Sequence, residues 1–273
     1  MSMAATPTLE IEALNVSLGG TPIVRDVSFA AKAGAVTVVV GPNGSGKSTM
    51  LKAVTGELRH TGRVRLNGTK VDGLPPEALA GLRAVLPQHT SLTFPLTVAE
   101  VVRLGIRRGA LPSASPHRRI CEALERVDLD GFAARAYHSL SGGEQQRVQL
   151  ARVLCQVWDP CPGGVPRWLF LDEPISSLDI RHQILIMDVA ADYARAGGGV
   201  VAVLHDLNLT ALYADHILVM KTGRLLSQGT PKEVITDRLV SEAFDHPLRV
   251  SAVPAGEVPF ILPQAAGSVA AVR

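Results

Sequence analysis

Nine consecutive residues, Gly41-Pro42-Asn43-Gly44-Ser45-Gly46-Lys47-Ser48-Thr49, have the types and spacing of a loop that wraps a chain of phosphates. Gly41, Gly46, Lys47 and Ser48 occupy the fixed points of G-x-x-x-x-G-K-[ST]. Glycines let successive backbone N–H groups turn inward toward an anion. The start of a helix adds the positive end of its dipole. Lys47 puts a point charge on the β- and γ-phosphates, and the Ser48 hydroxyl is a ligand for Mg²⁺. A glycine-rich turn with no ligand explains these residues poorly, because it leaves a nest of N–H groups with nothing to bind.

A second cluster is Trp168-Leu169-Phe170-Leu171-Asp172-Glu173-Pro174. The apolar run reads as a buried strand that ends in two adjacent carboxylates, with Pro174 closing it. Like charges repel and burial penalises each, so the pair is costly unless a cation lies nearby. Asp172 is suited to hold Mg²⁺ through water. Glu173 is suited to orient or deprotonate an attacking water, a role worth about 10²–10⁴-fold in rate. Between the two clusters lies Leu140-Ser141-Gly142-Gly143-Glu144. Ser141 with Glu144 three residues on is a capping box, and the apolar-periodic run Val148 to Leu154 supplies the helix. Capping does not account for two glycines at the first helical positions, where they weaken the helix. Bare backbone there suits the close approach of an anion.

These groups need elements to hold them. Ala35 to Val40, β-branched and bounded by glycines, is a buried strand leading into the phosphate loop, and Thr49 to Thr55 is the helix leaving it. Further strands are expected at Leu9 to Asn15, Val27 to Ala31 and Gly62 to Leu66, the last running into the hairpin turn Asn67-Gly68. From Val98 to Gln156 the pattern is helical, with Val98, Val101, Val102 and Gly105 on one period. Arg107 to Pro116 is a basic Pro/Ser/Gly loop inside it, and Asp159 to Pro166 is a Pro/Gly loop after it. Helix and strand then alternate: Ile180 to Ala196, Val200 to Leu204, Leu207 to Ala214, Ile217 to Met220. That alternation predicts a parallel α/β core. Residues 1–7 read as disordered, and the chain past Gln264 as loose.

With these motifs in this order and spacing, residues 8 to 250 resemble the ATP-binding cassette (ABC) family. The resemblance implies an α/β fold: a P-loop NTPase core of mixed sheet and flanking helices, an N-terminal antiparallel β region, and a helical subdomain inserted at about 89–155. Residues 251–273 would be a C-terminal tail. It implies ATP and Mg²⁺ as cofactors, with Gly41 through Thr49 on the phosphates and Ser48, Asp172 and Gln88 around the metal. Glu173, His205 and Gln88 would be catalytic. Gln88 follows the apolar run Ala84 to Pro87, at the family's Q-loop position. His205, after the strand Val200 to Leu204, matches its switch histidine. Ser177-Leu178-Asp179 matches the D-loop, and Ser141, Gly142 and Gly143 would complete the ATP site of a second copy. The other seven histidines show no ligand spacing and read as surface or core residues. Two positions depart from the family pattern: Leu18 stands where an aromatic usually stacks on adenine, and Ile175 where Thr follows Glu-Pro.

Composition narrows the class further. A formal net charge of +2 over 273 residues gives no support for nucleic-acid binding. Hydrophobic residues make up 47%, yet no apolar run approaches the ~18 residues of a membrane span, so the excess points to a large protein partner. Met1 to Pro7 lacks the pattern of a signal peptide. Three cysteines without a C-x-x-C pair suit a reducing compartment. One cassette without a span resembles a bacterial importer subunit on the cytoplasmic face of the inner membrane. Gly56-Glu57-Leu58, Arg83 to His89, Phe94 to Val102 and Leu204 to Leu209 are similar to the iron-chelate and cobalamin group. The loop before Pro166-Arg167-Trp168, Ala211 to Asp215, and Val258 to Pro263 are similar to its heme-importing branch. The resemblance implies a homodimer, two permease subunits and a periplasmic heme-binding protein. Ferric siderophores or vitamin B12 are the alternative cargoes. A soluble ABC ATPase of ribosomes or DNA is the alternative class, against which stand the single cassette and the absence of sustained heptads between Thr49 and Leu140. An ATP-binding protein without turnover is disfavoured by Glu173 and His205.

Overall fold

The run Val36–Val40, apolar but for Thr37 and buried throughout, forms a strand covered on both sides, and it lies third in a six-stranded sheet. The computed structural model describes residues 9–90, 92, 94–107, 115–254, 256 and 259–265. In chain order the strands are β1 (Leu9–Leu18), β2 (Thr21–Ala31), β3 (Val36–Val40), β4 (Thr61–Leu66), β5 (Thr69–Lys70), β6 (Arg83–Leu86), β7 (Trp168–Asp172), β8 (Gly199–Val203), β9 (His216–Lys221) and β10 (Arg224–Gly229). The helices are α1 (Lys47–Val54), α2 (Pro76–Leu82), α3 (Val98–Arg103), α4 (Pro116–Glu125), α5 (Gly142–Gln156), α6 (Ile180–Arg195), α7 (Leu207–Tyr213), α8 (Pro231–Val234) and α9 (Asp237–Phe244).

The main sheet runs β10-β9-β3-β8-β7-β6. Its strands are parallel except β10, which returns antiparallel to β9. The turn is Thr222-Gly223, both with positive φ, and it adds an antiparallel edge to the parallel core the sequence predicts. A second sheet, β2-β1-β4-β5, is wholly antiparallel. Asn67-Gly68 is its β4–β5 turn, as expected. β1 and β2 run several residues longer than the sequence pattern indicated and meet at Gly19-Gly20, again both with positive φ. That leaves Leu18 paired with Thr21 at the hairpin end and 44% exposed.

Side chains alternate across the parallel strands. Leu169 and Leu171 enter one core with Val36, Val38 and Val40, whereas Trp168 and Phe170 enter the other with Val39. The first core carries α3, α4, α5 and α6. The second holds α1 between the main sheet and the antiparallel sheet. The stretch predicted helical from 98 to 156 is thus a lobe of three helices on one face. Gly105 lies just past the end of α3. The basic loop at 107–116 lies mostly outside the described residues, as do residues 1–7 and those past Ala265. The segment up to Ala265 turns back onto the body: Gln264 Nε2 donates to the Asn208 carbonyl at 2.8 Å, placing a short turn at Pro263–Ala265 against α7. Among the described residues no helix is long and apolar enough to cross a membrane.

Candidate functional site

Four neighbouring strands deliver the site. Lys47 and Ser48 follow β3, His205 follows β8, Asp172 and Glu173 end β7, and Gln88 follows β6. All four strands are parallel and adjacent in the order β3-β8-β7-β6, so their C-terminal ends open onto one crevice. The chain order 47, 88, 173, 205 becomes the spatial order 47, 205, 173, 88.

The phosphate loop bends as predicted. Gly41 has φ 147°, and a Cβ there would stand 2.0 Å from the Met220 carbonyl oxygen, so no other residue fits without moving β9. Gly46, in the left-handed region, is the N-cap of α1. A Cβ at Gly44 would meet nothing within 4 Å, so the loop's outer side is open. The Ser45 hydroxyl is buried without a hydrogen-bond partner. Lys47, 5% exposed, curls into the loop and donates to the carbonyls of Gly41 at 2.9 Å and Pro42 at 3.0 Å. Burial pushes its ammonium below the usual lysine range, and the carboxylates of Glu173 and Asp172 work in the opposite direction. An open cradle of backbone N–H groups around a buried cation fits a polyphosphate.

Asp172 is buried and accepts the Ser48 hydroxyl at 2.9 Å through Oδ1. Burial pushes its carboxyl above the usual range. The Ser48 hydrogen bond opposes this, and the neighbouring Glu173 charge adds to it. Two oxygen donors meeting beside the phosphate loop, one a buried carboxylate whose charged form burial disfavours, are the donor set a hard divalent cation takes when phosphates supply the rest. Glu173 is held from two sides. Gln88 Nε2 donates to Oε2 at 2.7 Å, and His205 Nε2 lies 2.8 Å from Oε1. The sequence placed Gln88 in both a catalytic and a metal-binding role; its amide in this structure faces Glu173.

Ser141 is the N-cap of α5, with the capping box complete: Glu144 Oε2 accepts the Ser141 N–H at 2.8 Å and its hydroxyl at 2.7 Å. The two following glycines separate in meaning. Gly142 faces open space. A Cβ on Gly143 would stand 2.8 Å from Leu178 Cδ2. Gly143 therefore has a packing reason the sequence did not reveal, close approach of the 177–179 turn, and only Gly142 is bare with nothing packed on it. Asp179 caps α6. Ile175, in place of the family's Thr, is buried in the first core. The sequence missed the tie from Asp179 to His182, although Asp with His three residues on is the spacing of a helix cap reaching its N3 position.

A family model described as ABC transporter matches residues 24–176. The chain is 57% identical over 262 residues to the hemin import ATP-binding protein HmuV of Mesorhizobium japonicum, covering 94% of this chain and 98% of that protein. It is 53% identical over 255 residues to the protein of the same name from Rhizobium meliloti, covering 93% and 97%. Among solved structures, cbiO1 of Clostridium perfringens, part of the ABC transporter complex cbiONQ, superposes with a TM-score of 0.72 at 30% identity, covering 86% of this chain and 93% of that one. The ADP conformation of MJ1267, an ATP-binding cassette of an ABC transporter, shares the fold with a TM-score of 0.73 at 24% identity, over 87% of this chain and 98% of that one.

Proposed function

The chain belongs to the ABC transporter family as an ATP-hydrolysing subunit, and from that premise we infer that it powers bacterial uptake of hemin. Relatives that carry the hemin-import name align with nearly the whole chain, which supports the cargo. The observation that carries the chemistry is Glu173, clasped between Gln88 and His205 beside the phosphate loop.

In this reading Lys47 leaves its own loop carbonyls for the β- and γ-phosphates when ATP enters. Gly41 through Thr49 enclose the phosphates with backbone N–H groups. Ser48 and Asp172 would hold Mg²⁺, with Gln88 a further candidate ligand, and the ion would neutralise phosphate charge. Glu173 aligns the attacking water and takes its proton. His205 and Gln88 fix the Glu173 carboxylate, and His205 reaches the γ-phosphate. Ser141, Gly142, Gly143 and Asp179 serve the ATP of a second copy, so two ATP molecules lie between two cassettes. Closure of that homodimer moves the helical lobes and through them two permease subunits at the cytoplasmic face of the inner membrane. A periplasmic binding protein delivers the cargo.

The test is ATP hydrolysis by the chain assembled with its permease in proteoliposomes. Binding protein loaded with hemin should stimulate it, and protein offered a ferric siderophore or vitamin B12 should not. Stimulation by either alternative in place of hemin overturns the cargo and leaves the ATPase.

A further inference from the structure

Asp179 and the helix that begins at Ser141 are joined inside one chain by polar contacts that pass through a histidine. Asp179 Oδ1 accepts the His182 backbone N–H at 2.9 Å, and His182 Nδ1 lies 2.8 Å from the same oxygen. The other ring nitrogen, Nε2, is 3.5 Å from Oδ2 of Asp128. Asp128 belongs to the helical lobe, on the turn after α4, with φ 56°. Its Oδ2 also accepts Arg181 Nη2 at 2.8 Å. Arg147, buried on α5, fastens that turn by donating to the carbonyls of Val127 at 2.9 Å and Asp128 at 2.6 Å, and stands 4.0 Å from Oδ2. An apolar contact runs parallel to this polar one, since Leu178 packs where Gly143 has no side chain.

The arrangement of the two nitrogens matters. A neutral imidazole that donates from Nδ1 to Asp179 turns a lone pair toward the Asp128 carboxylate. An imidazolium donates to both. The charged groups that face the ring are Asp179 and Asp128. Arg181 and Arg147 share Asp128, and Glu144 stands beside Arg147.

We propose that His182 is a positioning residue that couples the 177–179 turn to the helix starting at Ser141, so that the two segments shift as one piece. The consequence rests on the composite-site reading above: both segments are the ones offered to the partner's ATP, and His182 would deliver them together. The coupling itself is a property of the single chain.

Backbone hydrogen exchange in the nucleotide-free full chain tests it. At about pH 6.5, His182→Ala should raise exchange at residues 141–145 of the lobe, and Asp128→Asn should raise it at 176–183 of the core, each by about tenfold. His182→Arg places donors between the same two carboxylates and should hold both segments within about threefold of the native chain. Unchanged exchange across the gap in the His182→Ala and Asp128→Asn chains, or segments as loose in the His182→Arg chain as in the His182→Ala chain, overturns the proposal. If the segments loosen together but ATP fails to dimerise the Glu173→Gln chain, the coupling stands and the composite-site reading falls.

Discussion

Glu173→Gln separates two roles of one side chain. The substitution keeps length and volume but removes the proton acceptor. Its carbonyl oxygen can still accept from Gln88 Nε2, now at 2.7 Å from Oε2. Its amide nitrogen then faces His205 Nε2, now 2.8 Å from Oε1, and can donate to it when that nitrogen is the unprotonated one. Both contacts survive, so the phosphate loop and ATP affinity should be intact. Loss of a general base costs about 10²–10⁴-fold in kcat, or about 3–5 kcal/mol in activation free energy. Glu173→Asp makes the complementary change: the base remains but withdraws by about 1.5 Å. Contacts of 2.7 and 2.8 Å would then exceed hydrogen-bonding range, and misplacement on that scale costs about 10²-fold. The assays are phosphate release for kcat, calorimetry for ATP affinity, and gel filtration for an accumulating ATP-bound dimer. Hydrolysis by the Glu173→Gln chain within tenfold of the native rate would refute the assignment. Equal loss of affinity and rate would mean that Glu173 shapes the loop rather than the chemistry.

Lys47→Ala should abolish the thermal protection that ATP gives the native chain, about 5–10 °C at a hundredfold excess over Kd; an undiminished shift in scanning calorimetry counts against the phosphate loop. Mixing Ser141→Arg with Lys47→Ala chains leaves one intact composite site in the heterodimer. ATP-driven dimerisation of the mixture, absent from either chain alone, is expected, and normal hydrolysis by the Ser141→Arg chain by itself would remove Ser141 from the site. If Leu18 lies against adenine it would offer only an apolar contact, so ATP and GTP should bind nearly alike and Leu18→Tyr should tighten ATP by at most about tenfold; strong native selectivity for ATP in competition binding would place the base elsewhere.

Much of the site was readable because its groups are local in sequence. Lys47 and Ser48 sit in a loop whose glycines announce its backbone, and Asp172-Glu173 is conspicuous at the end of an apolar strand. What could not be read is their spatial order. The parallel strands are all short and mostly apolar, so periodicity does not tell that β8 inserts between β3 and β7. The His205–Glu173 contact depends on that insertion. The packing at Gly143 was hidden for a related reason: an absent side chain shows only that something comes close, and Leu178, 35 residues away along the chain, is one neighbour that does. Gly19-Gly20 is a local turn signal for the β1–β2 hairpin, with both residues at positive φ.

The backbone at Glu173 argues that the carboxylate, not the fold, dictates this position. Its φ is 50°, in the left-handed region that a glycine would enter freely and other residues enter at a cost of about 1–3 kcal/mol. Ser177, four residues on, has φ 66°. The strain is tolerated because the turn is tied down around it. The Glu173 N–H donates to the Val203 carbonyl at 3.2 Å, continuing the β7–β8 ladder by one step, and Ser176 Oγ donates to the Glu173 carbonyl at 2.9 Å. Left-handed backbone at the first residue past a buried strand turns the side chain out of the sheet's alternation. Asp172, still in the strand, points to Ser48, while Glu173 swings toward Gln88 and His205. Two adjacent carboxylates in regular strand geometry would face opposite sides of the sheet. The positive φ is what lets both serve one crevice. Glu173→Gly should therefore relax the backbone and stabilise the nucleotide-free chain while eliminating hydrolysis. A loss of thermal stability in that variant would show that the contacts of the carboxylate with Gln88 and His205 outweigh the strain.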